Sequence, residues 1–311
     1  MRSITEVIST KRSAHHAFIT WFCQNARRPI VFFNNALPSS PPRLREVERF
    51  HIDIAPRMDR VDELVEGQND VLLNFEGKIP SSIEKWNRKY LQPRLKGRLV
   101  RVVFLRDPVN TLASLAKRCR PSDFRSLFKY FYQVLALEEI LGRLAQKDSN
   151  FCEKVVLMAP WLTNDLYRAE VAAYFQLTPG APPVRVTRQG GGSSFHGMDY
   201  EPSDNPAALA ERWRAVEDNP LFLAPFAENR TVETLRSYFR LFGAHESLDP
   251  ATIDVLAGRA AAEPAAADYL RRILIPMRRA RATLGAMEFA PQPAVRELWK
   301  GVLTTRMMLK I

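Results

Sequence analysis

The chain has 311 residues, of which 46% are hydrophobic and 25% charged, a composition typical of a globular protein with a sizeable core. Lysine and arginine (45) exceed aspartate and glutamate (34), so the net charge of +11 predicts an anionic ligand or partner. The three cysteines stand far apart without a CxxC pair, which argues against a disulfide framework and a zinc site. Without a secretory or membrane-spanning apolar segment, we predict a soluble, cytoplasmic protein and leave peripheral membrane contact open.

Short β-rich runs alternate with helical periodicity over the first two thirds of the chain, the pattern of a parallel sheet covered by helices. The runs are almost continuously apolar, as expected for strands that are buried on both faces. The predicted strands cover residues 4–9, 29–33, 70–75, 99–105 and 154–158. We therefore predict an α/β fold with three layers, α/β/α, around a central parallel sheet.

Helices are predicted after the first strand, over residues 108–117 with Pro108 in the first turn, and from a Ser122 cap through a long apolar periodic run. Residues 38–66 carry an SSPP run and many charges, which predicts an insertion of loops and short helices. Beyond residue 205 the pattern becomes helical, for example over 207–216 and 231–242. We divide the chain into an α/β domain, 1–245, and a helical C-terminal extension, 246–311, packed on the same domain.

The first candidate site is the turn TKRSAHHA, residues 10–17, which joins the first strand to its helix. Anions bind at this position of α/β sheets because the N–H groups and the dipole of the helix N-terminus point towards them. The side chains available there are Lys11, Arg12, Ser13, His15 and His16. An ordinary basic turn with a serine cap fits the same residues. The turn has no glycine and no G-x-x-x-x-G-K-[ST] pattern, which disfavours a P-loop kinase.

A second candidate site follows the strand of residues 99–105. This strand delivers Arg106 at its end, Asp107 and Pro108 start a helix, and Ser114 comes about two helical turns later. The Arg106 guanidinium suits a phosphate and Ser114 offers a hydroxyl donor. Two anion sites at neighbouring strand ends predict one ligand with two separated anionic groups.

A third candidate is the segment VTRQGGGSSFHG, residues 186–197, which holds four of the 13 glycines of the chain. Consecutive glycines allow the backbone to approach a ligand closely, and the adjacent hydroxyl and guanidinium groups can contact an anion. The candidate ligand-binding residues are Arg188, Gly190, Gly191, Gly192, Ser193 and Ser194. A flexible surface loop is the alternative interpretation.

These motifs resemble the sulfotransferase family that uses 3′-phosphoadenosine 5′-phosphosulfate (PAPS). The family's 3′-phosphate motif, R-D-P-x-x-x-x-x-S, is matched from Arg106 to Ser114, and its 5′-phosphosulfate loop, often K-S-G-T-T, follows the first strand. Here Ala14 stands at the glycine of that loop and two histidines replace its hydroxyl pair. The resemblance covers about residues 3–200. It implies a P-loop-like sulfotransferase architecture with a helical C-terminal region, PAPS as co-substrate and no metal.

The resemblance also implies which residues contact the nucleotide and which act in transfer. The nucleotide contacts are Lys11, Arg12, Ser13, Ala14, His15, His16, Ala17, Arg106 and Ser114, together with the glycine-rich segment. Glu76 ends the strand VLLNF and is similar to the glutamate that deprotonates the acceptor in carbohydrate sulfotransferases. His16 is the alternative base, since a neutral imidazole is available near pH 7. Lys11 is expected to stabilise the leaving group.

The predicted reaction is sulfuryl transfer from PAPS to a hydroxyl acceptor, with a carbohydrate or glycolipid preferred. A nucleotide-dependent phosphotransferase is one alternative, although no clear Mg²⁺-binding aspartate is found. A basic nucleic-acid-binding protein is another, supported only by the net charge, so nucleic acid is not an expected partner. The sequence does not indicate an oligomeric state.

Overall fold

The computed structural model describes residues 3–11, 13–28, 30–34, 46–50, 70–88, 97–146, 151–181, 211–246 and 248–288. The strands are β1 (Ser3–Ser9), β2 (Ile30–Asn34), β3 (Glu46–Phe50), β4 (Asp70–Glu76), β5 (Arg98–Leu105) and β6 (Lys154–Leu157). They form one sheet in the order β3-β2-β4-β1-β5-β6. The β2–β3 pair is antiparallel and the other four pairs are parallel. The predicted α/β class is therefore confirmed, and the sheet is parallel except for β3, which runs antiparallel to β2.

Helices lie between β1 and β2, between β4 and β5 and between β5 and β6, and they make up the regular structure described beyond residue 211. The α-helices are α1 (His15–Gln24), α2 (Pro80–Trp86), α3 (Pro108–Arg118), α4 (Phe124–Ala145), α5 (Met158–Thr163), α6 (Asp165–Tyr174), α7 (Pro220–Leu223), α8 (Asn229–Phe242), α9 (Thr252–Ala262), α10 (Pro264–Tyr269) and α11 (Ile275–Glu288). Short 3₁₀ segments cover Arg212–Val216, Ala224–Ala227 and Gly243–His245, and a π segment covers Leu270–Leu274. None of the helices in these described stretches combines the length and apolar content that crossing a bilayer requires.

Helices pack on both faces of the sheet, and alternate residues of a strand enter different cores. On β5, Val102 and Phe104 join one core with Phe18 of α1 and Trp161 of α5. The Phe18 and Phe104 rings stack with centroids 4.9 Å apart. Val103 and its alternate neighbours enter the other core, which holds the apolar faces of α3 and α4. This arrangement is compatible with three layers, α/β/α.

The C-terminal helices belong to the second of these cores. Ile253 of α9 and Met277 of α11 are fully buried in the same cluster as the β5 side chains. Arg278 of α11 also donates hydrogen bonds to Glu138 of α4, with its Nε 3.2 Å from Oε2. The helices from residue 252 to residue 288 are thus joined to the sheet-bearing part through α4.

Three local predictions differ from the structure. Strand β3 lies within residues 38–66, where only loops and short helices were predicted; its sequence EVERF alternates charged and apolar residues, a period-two pattern. Helix α4 is capped by Asp123, not Ser122, because the Asp123 carboxylate accepts a hydrogen bond from Arg125 N at 3.0 Å. Of the predicted helix over 207–216, the described part is the 3₁₀ segment from Arg212 to Val216.

The strand order places a switch point at the carboxyl edge of the sheet, where open α/β sheets form a ligand crevice. β1 lies between β4 and β5. The chain leaves β1 towards β2 on one side and leaves β5 towards β6 on the other, so the connections diverge at the carboxyl ends of β1 and β5. Ligands of open α/β sheets bind at such a switch point. The turn of residues 10–17 and Arg106 follow these two strands.

Candidate functional site

The turn after β1 reaches α1 through a strained residue. Ala14 has φ 63° and ψ 17°, in the left-handed region that favours glycine, and it directly precedes the helix. No side chain caps α1. The Ser13 hydroxyl lies instead 3.3 Å from Nδ1 of His15. The serine-cap interpretation of this turn is therefore wrong, and Ala14 takes the conformation expected of a glycine in that place.

A buried glutamine holds this turn against the turn that follows β4. The Gln133 side chain of α4 accepts a hydrogen bond from Lys11 N at 3.1 Å and donates one to the Gly77 carbonyl, also at 3.1 Å. The two turns also bond directly, since Gly77 N donates to the Ser9 carbonyl at 2.6 Å. Gly77 has φ +60°, and a Cβ there would collide with the Gln133 amide. The turn after β1 and the turn after β4 are thus fixed to each other.

Two histidines and a glutamate come together at this junction, and we refer to His15, His16 and Glu76 as the His–Glu cluster. Nε2 of His15 lies 3.9 Å from Oε1 of Glu76, and the two imidazole rings have centroids 4.2 Å apart. The His15 side chain is 2% exposed and that of Glu76 is 16% exposed. The two groups predicted as alternative bases, Glu76 and His16, are therefore neighbours.

On the other side of β1, the segment Arg106–Pro108 contains both residues that start helix α3 and a residue of the candidate site. Asp107 caps α3 by accepting hydrogen bonds from Val109 N at 2.8 Å and Asn110 N at 3.3 Å, and Pro108 occupies the first helical position. Arg106 is buried at the end of β5, at the carboxyl edge of the sheet. The aspartate and proline therefore build the helix start, while the arginine stays beside the crevice.

Glu246 is a half-buried carboxyl group whose charge interacts with those of Arg106 and Asp107. The Tyr238 hydroxyl donates a hydrogen bond to it. Burial and then the Asp107 carboxylate raise the pKa of Glu246 to about 8, although the Tyr238 hydrogen bond and the Arg106 guanidinium act in the opposite direction. Near neutral pH this group is mostly protonated, so its charge offsets little of the positive charge of Arg106.

Comparisons with protein-family models, with curated proteins and with solved structures gave no match to this chain.

Of the nine predicted site residues that the structure describes, eight lie at one edge of the sheet. Lys11, Ser13, Ala14, His15, His16, Ala17 and Glu76 lie at the carboxyl ends of β1 and β4, and Arg106 lies at the end of β5. Ser114 is buried in α3, two turns beyond. The predicted residues Arg12, Arg188, Gly190, Gly191, Gly192, Ser193 and Ser194 lie outside the described part of the chain.

Sequence reasoning missed three residues of the site. Gln133 belongs to the helix that we predicted from its long apolar periodic run. Its amide interrupts that run, and the interruption is a usable signal. Glu246 and Tyr238 follow no motif. They reach Arg106 from α8 and the residues just after it, across more than 130 positions of sequence, so only the tertiary fold identifies them.

Glycine substitutions at the two turns should have opposite effects on stability. Ala14→Gly relieves the left-handed strain and should raise the free energy of unfolding by up to about 1 kcal/mol. Gly77→Ala adds strain and a collision with Gln133, and should lower it by about 1–3 kcal/mol. Gly142→Ala in α4 is the matched control, because its Cβ meets nothing within 4 Å, and should stabilise by about 1 kcal/mol. Urea unfolding measures all three; a stabilising Gly77→Ala would contradict the described turn.

Glu246 should make the protein less stable as the pH rises. Its pKa is about 8 when folded against an ordinary 4.5, so its stabilising protonation is complete below 4.5 and is lost as the pH passes through about 8. The slope is at most about 1.4 kcal/mol per pH unit. Glu246→Gln should remove this contribution and exceed the wild type in stability at pH 9. Asp107 titrates in the same direction, so the comparison uses the difference between the two proteins. If the free energies of unfolding of the wild type and of Glu246→Gln change in parallel with pH, the raised pKa of Glu246 is refuted.

Proposed function

We propose that this chain transfers the sulfuryl group of PAPS to a hydroxyl group of an acceptor. One observation carries the proposal: the turn after β1 lies between Glu76, at the end of one neighbouring strand, and Arg106, just beyond the other. The Arg106 guanidinium suits the binding of an anionic group of the ligand. The Glu76 carboxylate suits a proton transfer at the other end of the ligand. The finer fold assignment, a P-loop-like sulfotransferase architecture, is part of this proposal.

The nucleotide would span the ends of β1 and β5. We assign its 5′-phosphosulfate to the turn after β1, where Lys11 and the N-terminus of α1 supply positive charge. We assign its 3′-phosphate to Arg106 and Ser114. Because Glu246 is mostly protonated at neutral pH, it competes little with a phosphate for the Arg106 charge. Arg12, Arg188 and the glycines and serines from Gly190 to Ser194 would complete the contacts.

The reaction is an in-line substitution at sulfur. The acceptor hydroxyl oxygen forms the new S–O bond, while the bond from sulfur to the bridging oxygen of the nucleotide phosphate breaks. Glu76 accepts the proton that the hydroxyl loses. Lys11 stabilises the charge that develops on the departing oxygen, where a compact ammonium is effective. A carbohydrate or glycolipid supplies the hydroxyl in this proposal.

Nucleotide binding is tested by thermal unfolding with 3′,5′-adenosine bisphosphate, ATP·Mg²⁺ and duplex DNA as separate additions. The bisphosphate at 100 times its dissociation constant should stabilise the folded protein by about 2.7 kcal/mol, and the other two should not. Arg106→Ala should abolish this stabilisation. Arg98→Ala is the matched control, because Arg98 begins the same strand at its opposite end and is exposed.

Stabilisation by ATP·Mg²⁺ alone would favour a phosphotransferase, and stabilisation by DNA alone would favour nucleic-acid binding. Either result would overturn the proposed function.

Catalysis is tested by transfer of labelled sulfate from PAPS to a panel of glycans, glycolipids and small alcohols. Glu76→Gln should keep the bisphosphate affinity and lower turnover by about 10²–10⁴-fold, since general-base catalysis contributes about that factor. Glu153→Gln, at an exposed glutamate beside β6, is the matched control and should retain turnover. Full turnover in Glu76→Gln combined with a loss in His16→Asn would assign the base to His16 instead.

A further inference from the structure

The proposed transfer reaction uses Glu76 as a base but does not use the joint arrangement of the three groups of the His–Glu cluster. One nitrogen from each of His15 and His16 and one carboxylate oxygen of Glu76 all lie within 4.8 Å of one another. The histidines come from the first turn of α1 and the glutamate from the end of β4. Because the Gln133 hydrogen bonds fix the turns after β1 and β4 to each other, these three groups are held on a common frame.

The orientation of His15 is that of a metal-binding imidazole. Its Nδ1 lies 3.3 Å from the Ser13 hydroxyl oxygen, and its Nε2 faces Glu76. Histidines that bind metals almost always hydrogen-bond through their other ring nitrogen, which fixes the tautomer and the direction of the ring. In the tautomer in which Nδ1–H donates to the Ser13 hydroxyl, the lone pair of Nε2 is directed towards the centre of the cluster.

The distances also suit a common ion better than a direct contact. The 3.9 Å from His15 Nε2 to Glu76 Oε1 exceeds the length of a hydrogen bond. Two donor atoms that each bind zinc at about 2.0–2.1 Å lie about 3.4 Å apart at the tetrahedral angle. Small rotations of the three side chains therefore bring the ligand atoms to coordination distance, whereas a direct hydrogen bond needs a larger approach.

We propose that His15, His16 and Glu76 bind a divalent transition-metal ion, Zn²⁺ by preference. Two imidazoles and one carboxylate suit Zn²⁺ and exclude a dedicated Mg²⁺ or Ca²⁺ site, since those ions prefer oxygen ligands alone. Three protein ligands leave the fourth tetrahedral position to water or to an oxygen of a ligand. Zn²⁺ with one carboxylate keeps a net positive charge, so an anionic oxygen is the favoured fourth ligand.

This metal site does not depend on the proposed function, because metal binding is measured without PAPS or acceptor. One consequence does rest on the proposed function. Glu76 cannot hold the ion and accept the acceptor proton with the same lone pairs, so the ion and the transfer reaction compete for its carboxylate.

The test titrates the chelator-treated, full-length chain with Co²⁺, whose visible absorption reports its ligands. We expect one Co²⁺ per chain and loss of the visible bands when one equivalent of Zn²⁺ is added. His16→Asn and Glu76→Gln should each weaken Co²⁺ binding at least tenfold. Ser13→Ala should weaken it about 10–100-fold, because Ser13 orients His15 without binding the ion. His245→Asn and Glu153→Gln, both exposed residues away from the cluster, should bind as the wild type does.

Thermal unfolding of each variant without metal establishes that it is folded. The proposal is overturned if Co²⁺ does not saturate at one per chain. It is equally overturned if His16→Asn and Glu76→Gln both bind Co²⁺ with wild-type affinity, or if thiolate charge-transfer bands show that a cysteine is the ligand. If the wild-type chain does not bind Co²⁺, its stabilisation by the bisphosphate is unaffected, so failure of this inference is distinct from failure of the proposed function.

Discussion

The candidate site depends on the buried side-chain amide of Gln133. A primary amide has both a donor and an acceptor end, and here each end satisfies a backbone group of a different turn, Lys11 N and the Gly77 carbonyl. A buried amide with only one end satisfied would be costly, so the two turns and α4 are mutually constrained. The Gln133 side chain thus adds to the β1–β4 pairing and the bond from Gly77 N to the Ser9 carbonyl in setting the positions of Lys11 and Glu76.

The electrostatics at the same edge follows from the different responses of a guanidinium and a carboxyl group to burial. Arg106 keeps its charge because guanidinium groups do not deprotonate in proteins. The carboxyl of Glu246, in contrast, responds to burial by holding its proton at neutral pH. The crevice is therefore more positive than its residue composition indicates. This positive charge is local, and it can attract an anionic ligand independently of the net charge of the whole chain.

The sequence predicted the parts of the fold that local pattern controls. Strands β4 and β5 follow from continuous apolar runs, and the turn at Arg106 follows from the proline and the capping aspartate after it. The left-handed conformation of Ala14 was not predictable, because alanine rarely adopts it and only the surrounding structure enforces it. The Gln133 contacts were not predictable for another reason. They join residues that are 122 and 56 positions apart in the sequence, and periodicity carries no information over such separations.

Helix α4 contacts both the candidate site and the C-terminal helices. It carries Gln133 at the two turns and, five residues later, Glu138, which binds Arg278 of α11. These two positions are about 7.5 Å apart along one continuous helix. One helix thus contacts both the two turns of the candidate site and the C-terminal helix α11, so the site and the C-terminal helices share a structural element.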